Sequence, residues 1–213
     1  MSEVVAVIDY GMGNLHSASK ALEKVASGQT IVITSDPDQV RAADRVVFPG
    51  VGAIRDCIAV LKDTGLDRAI VDVVASGKPL LGICVGMQAL MARSEENRGI
   101  DCLGVFDGQV TFFGEPVSET GARLKVPHMG WNQVQQMQAH PMWAGIADES
   151  RFYFVHSYCV TGLPDEQVAG RCQYGLAFAA AAVKDNVFAV QFHPEKSADA
   201  GLTLLENFLR WQP

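Results

Sequence analysis

The amino-acid sequence predicts an α/β fold: a mostly parallel central sheet flanked by helices, followed by a β-rich second half. Two patterns carry this expectation. The first hundred residues alternate short β-branched runs with helical periodicity, each junction marked by glycine or a cap, which is the signature of parallel βαβ units. From about Gly108 the helical windows become rare and short strands follow one another. Size agrees, because 213 residues with 48% apolar and 19% charged side chains bury roughly 70–75% of their unfolded surface. No internal repeat, low-complexity linker or composition break divides the chain, so one domain over residues 1–213 is expected.

Each element has its own local reason. Val4 to Asp9 reads as a first strand, Tyr10-Gly11-Met12-Gly13 as a turn, and Asn14 as the cap of a helix with Leu15, Ala18, Leu22 and Val25 on one face. Ile31 to Thr34 and Arg45 to Phe48 are the next strands. The latter ends in Pro49-Gly50-Val51-Gly52, before a helix that turns Ile54, Ile58 and Leu61 inward. Pro79 to Ile83 is a fourth strand, running through Cys84 into the helical segment Gly86 to Met91. Further on, the strand patterns are Gln109–Phe113, Phe152–Ser157, Val168–Cys172, Leu176–Val183 and Val187–Phe192. Gly201 to Trp211 closes the chain as an amphipathic helix.

Charge and cysteine usage narrow the function. With 24 acidic against 17 basic residues, a net charge of −7 and no Lys/Arg run, nucleic acid and anionic membranes are poor partners. A polyphosphate is also disfavoured, whereas a zwitterionic ligand meets no such penalty. Cys57, Cys84, Cys102, Cys159 and Cys172 are an odd number at wide spacing, without C-x-x-C or H-E-x-x-H. This reads as reduced thiols in a cytoplasmic protein, with no metal site and no cofactor. Val4 to Ile8 has no basic lead and reads as a strand, not a signal peptide, and no apolar run approaches the ~20 residues of a membrane span.

Three segments are able to do chemistry. Gly82-Ile83-Cys84-Val85-Gly86 has the form of a nucleophile elbow, in which glycine neighbours permit a strained turn that projects the thiol from the sheet edge. A buried structural cysteine in a glycine-rich turn is the plainer alternative. His193 in Phe192-His193-Pro194-Glu195 precedes a proline and is pushed toward extended backbone, so His193 and Glu195 should lie on one side, the carboxylate orienting an imidazole base. A solvated surface turn is the alternative there. Pro49-Gly50-Val51-Gly52-Ala53 offers backbone N–H groups to an oxyanion, with a phosphate-binding loop as the competing reading and a plain tight βα turn as the simpler one. His16, His128, His140 and His156 carry little specificity singly, and Trp131, in a glycine-flanked loop, reads as core or as an interface anchor.

Together the elbow and the His-Pro-Glu segment resemble the class I (triad) glutamine amidotransferases. Within that family, several further motifs resemble the branch that serves as glutaminase subunits of imidazole glycerol phosphate synthases. They are Asp9-Tyr10-Gly11-Met12-Gly13-Asn14-Leu15, Pro49-Gly50-Val51-Gly52, Gly86-Met87-Gln88, Pro127-His128-Met129-Gly130-Trp131-Asn132 and Gln191 to Ser197. Sister glutaminases of anthranilate and carbamoyl phosphate synthesis usually carry histidine where Met87 stands. Val85 replaces a commoner leucine.

The resemblance implies a class I glutamine amidotransferase-like (flavodoxin-like) fold and a glutaminase with Cys84 as nucleophile, His193 as base and then acid, and Glu195 as its orienting carboxylate. It implies that Gly50, Val51, Gly52 and Val85 hold the oxyanion, that Gln88 and Glu96 bind the amino-acid moiety of glutamine, and that the His156-Ser157-Tyr158 backbone assists. It also implies a heterodimer with a (β/α)8-barrel cyclase subunit that receives the ammonia and makes imidazole glycerol phosphate and aminoimidazole carboxamide ribotide in histidine biosynthesis. Asn14 and Trp131 are expected at that interface. Glutaminases of this kind are nearly silent until the barrel is liganded, and a peptide flip at Val51, between two glycines, is the expected device. A paralogous glutaminase feeding a sugar-modifying amidotransferase, or a free-standing cysteine hydrolase, would use the same triad.

Overall fold

In the structure, a computed structural model that describes residues 2–118 and 120–213, strands and helices alternate through the first half. They are β1 (Val4–Ile8), α1 (Leu15–Val25), β2 (Thr30–Thr34), α2 (Pro37–Ala42), β3 (Arg45–Gly50), α3 (Ile54–Thr64), α4 (Leu66–Ala75), β4 (Leu80–Cys84) and α5 (Val85–Ala89). Strands then dominate: β5 (Arg93–Ser94), β6 (Ile100–Asp101), β7 (Gln109–Phe112), β8 (His128–Gln133), β9 (Gln135–Gln136), β10 (Arg151–His156), β11 (Tyr158–Thr161), β12 (Val168–Tyr174), β13 (Leu176–Lys184) and β14 (Val187–Val190). Helix α6 (Ala198–Arg210) follows.

The main sheet runs β2-β1-β3-β4-β14-β13-β11-β7-β5-β6, with β12 beside β13 and β9 beside β12. From β2 to β14 every pairing is parallel. In β3, β4 and β14 every residue is buried, which explains their continuous apolar runs: both faces of a parallel sheet are covered. Beyond β14 the sheet turns antiparallel because Asp185-Asn186 joins β13 to β14 in a hairpin, with Asp185 at φ 49°. Strands β8 and β10 form a separate antiparallel ribbon. Helix α1 packs on α6, and α2 and α3 pack on α4. One hydrophobic cluster extends from Val5 to Trp211 through both halves, and no described helix is long and apolar enough to cross a membrane.

Several elements differ from the sequence reading. Asn14 stands at the start of α1 but makes no side-chain cap; its carbonyl accepts from Ala18 N at 3.1 Å. Trp131 lies on strand β8, not in a loop, because Met129 and Trp131 alternate outward while the ladder to β10 satisfies the backbone. Helix α2, capped by Asp36 through its bond from Asp38 N at 2.9 Å, and helix α4 were not anticipated. The strand expected over Val187–Phe192 stops at Val190, since His193 N leaves the ladder to donate to Tyr153 O at 2.9 Å.

Candidate active site

Neighbouring parallel strands bring the site together. Open α/β sheets bind ligands at the carboxyl ends of their strands, and β3, β4 and β14 lie side by side pointing one way. Gly50, closing β3, is in register with Cys84, closing β4. Val190 is in register with Ile83, so Gln191, Phe192 and His193 emerge from β14 beside the thiol.

Cys84 has φ 55° and ψ −111°, a conformation outside the wells open to L-residues. The flanking glycines are needed for contact. A Cβ on Gly86 would collide with the Phe48 carbonyl, and one on Gly82 would come within 2.8 Å of Leu90 Cδ1. The same closeness applies across the strand ends, where a Cβ on Gly50 would run into Tyr10 Oη and lie 3.0 Å from Gly86 N and Val85 Cβ. Gly52, at φ 95°, packs near Met12. The Gly50–Gly52 backbone thus lies against the turn that carries Cys84 and Val85.

His193 and Glu195 form a buried pair, Nδ1 to Oε1 at 2.9 Å, with side chains only 2% and 3% exposed. Burial alone would lower the imidazole pKa, but the neighbouring Cys84 and Glu195 outweigh it and lift it to about 10. The ring is therefore well placed to keep a proton taken from the thiol. Ser197 fixes the backbone here: its Oγ donates to His193 O at 2.6 Å and accepts from Tyr153 N at 2.9 Å. Nδ1 is thereby committed to the carboxylate, while Nε2 is buried without a protein partner.

A cavity of about 390 Å³ opens over the thiol, lined by Val51, Gly52, Cys84, Val85, Gln88 and Glu96 on one side and by Ser157, Tyr158 and His193 among others. His156 reaches it too, but both its ring nitrogens are occupied, so only its backbone is available to a ligand. Both amide hydrogens of Gln88 are taken, by Tyr158 O and by Gln191 Oε1, each at 3.0 Å. Its own Oε1 remains as an acceptor. Glu96 is held from behind by Ile54 N at 3.3 Å, and burial together with Glu96 and Glu95 raises the Tyr158 phenol, which marks this mouth of the cavity as anionic. Gly50 and Glu195 do not line it. Asn14 and Trp131 do not line the cavity. Among the described residues, no group of His, Cys, Asp and Glu is arranged to hold a metal.

Gln191, His128, Ser197 and Tyr10 stand in the motifs that carry the resemblance, but the sequence reading gives none of them a chemical role. Gln191 is fully buried and its Nε2 approaches Cys84 Sγ at 3.7 Å. His128 Nδ1 meets His156 Nε2 at 2.9 Å, and burial depresses these rings to about 4 and about 3. The one available signal was Gln191, a polar residue inside an apolar strand pattern; the histidine pair joins residues 28 apart and leaves no local trace.

This constellation has known counterparts. The family model for glutamine amidotransferase class-I matches residues 6–211. The chain belongs to that family. It is 59% identical over 211 residues, covering 99% of this chain and 98% of the relative, to imidazole glycerol phosphate synthase subunit HisH 1 of Pseudomonas aeruginosa. Its identity to imidazole glycerol phosphate synthase subunit HisH of Nitrosococcus oceani is 57%, covering 97% of each. Among solved structures, PurLQS from Thermotoga maritima superposes with a TM-score of 0.71 at 18% identity, covering 99% of both chains. A glutamine amidotransferase from Thermotoga maritima superposes at 0.62 with 17% identity, covering 99% of this chain and 96% of that one. At such identities these structures speak for the fold alone. The class I amidotransferase fold thus has its parallel sheet extended by antiparallel strands, and the chain is a glutamine amidotransferase.

Proposed function

We propose that residues 1–213 form one glutamine amidotransferase domain that hydrolyses glutamine to glutamate and ammonia, as the glutaminase subunit of an imidazole glycerol phosphate synthase. The observation that carries the reaction is the strained Cys84 facing the free Nε2 of His193, whose other nitrogen is tied to Glu195. His193 Nε2 takes the thiol proton, and Cys84 Sγ attacks the side-chain carbonyl of glutamine. The imidazolium is stabilised by Glu195 and then protonates the departing ammonia. Backbone N–H groups of the Gly50-Val51-Gly52 loop and of Val85 receive the oxyanion, and water afterwards hydrolyses the glutamyl thioester. Gln88 Oε1 and the Glu96 carboxylate suit the substrate's α-ammonium group, and the His156-Ser157-Tyr158 backbone borders its carboxylate.

The end-to-end likeness to relatives named as subunits of this synthase supports a (β/α)8-barrel cyclase as the partner, and histidine biosynthesis as the pathway. Met129 and Trp131, 62% and 47% exposed on one face of β8, offer an apolar contact to that partner, and we assign Asn14 to the same interface. The five unpaired thiols favour a cytoplasmic setting. The test is glutamate release by the purified chain, alone and with a barrel cyclase subunit, each with and without the cyclase's ribonucleotide ligand. Strong activity in the full mixture only, lost in Cys84→Ser, is expected. Absence of stimulation by partner and ligand, with Cys84 still reactive, would point to a free-standing hydrolase or another synthase.

A further inference from the structure

A line of hydrogen bonds with fixed direction ends on the nucleophile. It starts from the Tyr158 carbonyl, which can only accept. His156 Nδ1 lies 2.8 Å from that oxygen and Gln88 Nε2 lies 3.0 Å from it, so both must donate. The Gln88 amide is therefore oriented with its nitrogen inward, and the neighbouring atom of Gln191, 3.0 Å away, must be the Gln191 oxygen. The Gln191 nitrogen then points the other way, at Cys84 Sγ, 3.7 Å distant. On the far side the assignment is equally forced. His156 Nε2, left without a hydrogen, accepts from His128 Nδ1 at 2.9 Å, and His128 Nε2 accepts from Asn132 Nδ2 at 3.3 Å. The low proton affinity of both rings, set chiefly by burial, keeps each in the single neutral form that this arrangement needs.

We infer that Gln191 is a positioning residue that donates a hydrogen bond to the Cys84 thiolate, its amide held in the donating orientation by Gln88. The inference rests on Cys84 being the nucleophile of the proposed reaction. A neutral donor suits this place. Gln191 is fully buried, so no water competes for the sulfur from its side, and unlike a second cation it does not oppose the charging of His193. A hydrogen bond to the charged form of an acid favours that form.

The test is the pH dependence of Cys84 alkylation by iodoacetamide, followed by mass spectrometry of the intact chain and its peptides. Burial raises Cys57 and Cys172 to about 12 and Cys102 and Cys159 to about 11, so label at neutral pH reports on Cys84. In Gln191→Met, which keeps the length and loses the donor, the alkylation profile moves alkaline. The rate at pH 7 falls about tenfold, corresponding to about 1.4 kcal/mol. Gln88→Met, which leaves Gln191 in place but removes the group that orients it, shifts the profile the same way by less; this arm stands if Gln191→Met does not fold, as judged by its melting curve. Superimposable profiles for the unmodified chain and a folded Gln191→Met overturn the role of Gln191 and leave the glutaminase reading intact. A Cys84 in the unmodified chain that alkylates no faster at pH 7 than the other four thiols overturns both.

Discussion

Replacing Cys84 by glycine should make the protein more stable than replacing it by alanine, the reverse of what a buried position ordinarily shows. Both substitutions remove the thiol and leave Gln191 Nε2 equally without its sulfur, so their difference isolates backbone and Cβ. At an unstrained buried site, alanine is favoured over glycine by roughly 0.5–1 kcal/mol of unfolded-chain entropy. Burial of its methyl, about 0.8 kcal/mol, adds to that. Cys84 is 3% exposed, so both contributions apply in full. Against them stands the conformation: φ 55° with ψ −111° lies far from the small left-handed well, where ψ is roughly +30 to +60°. Confining a side chain to such a region costs of order 1–3 kcal/mol, and the distance in ψ places Cys84 in the upper part of that range. Glycine escapes the cost. The balance favours Cys84→Gly over Cys84→Ala by about 1 kcal/mol, or about 2–4 °C in melting temperature for a chain of this size. Urea unfolding of the two inactive proteins, side by side, measures it. An alanine protein more stable than the glycine protein by about 1.5 kcal/mol would refute the claim that the nucleophile is held under strain.

Gly86→Ala should be the more damaging elbow substitution, because its Cβ meets the Phe48 carbonyl, a backbone atom that cannot step aside, whereas the Cβ of Gly82→Ala meets a Leu90 methyl that can rotate. A loss of roughly 2–3 kcal/mol for Gly86→Ala and clearly less for Gly82→Ala is expected in urea unfolding; equal losses would contradict it. Acid should destabilise the fold through His128 and His156. Their folded values, about 4 and about 3, lie below the ordinary 6.5, so the unfolded chain takes up these protons first. Their stabilising contribution is complete above pH 6.5 and is lost as pH falls toward 4. Each site accounts for about 2 kcal/mol between pH 7 and pH 5, and equal unfolding free energies at those two pH values would rule the pair out as the acid-sensitive element. Glu195→Gln should lower kcat for glutamate release about 10²–10⁴-fold with little change in KM, since the carboxylate acts on His193 and not on the ground-state substrate. A loss under tenfold, or one confined to KM, would count against its orienting role.

The parts of this molecule that were legible in its sequence are those whose cause is local. Continuous apolar runs ending in glycine mark β3 and β4, because burial of both sheet faces and close approach at the strand end each leave a residue-level trace at Val46–Gly50 and Leu80–Gly86. His193 and Glu195 were legible because a proline between them constrains the backbone over a single step. Helix α4 did leave a signal, Leu66, Ala69, Ile70 and Val73 at helical spacing, but it follows α3 after Gly65 alone, where one helix is easily read through. Strand β8 left little. Its outward residues are Met129 and Trp131 and its inward ones His128 and Gly130, so hydropathy alternates with the wrong sign for a half-buried strand. The orientation of Gln191 depends on a carbonyl 33 residues earlier in the chain, at Tyr158, and on Gln88, 103 residues away; no window of sequence contains it.

The placement of unmet polar atoms follows from the same construction. Folded proteins leave very few buried polar atoms without a partner, because each costs about 1–3 kcal/mol. Five such side-chain atoms occur among the described residues, and three of them belong to the site: Tyr10 Oη beside Gly50, and His193 Nε2 and Glu195 Oε2 in the pair next to Cys84. Everything around them is satisfied from outside inward: Ser197 fixes the His193 backbone, Tyr158 orients Gln88, and Gln88 orients Gln191. The surrounding fold therefore supplies the stability that lets these atoms stay open, and Cys84 keeps its strained backbone on the same terms. His193 Nε2 finds its partner when the thiol proton moves, so that cost is recovered during the reaction and not in the resting fold. A site that relaxed to satisfy it, by turning the imidazole toward a carbonyl, would be more stable and would have lost its base.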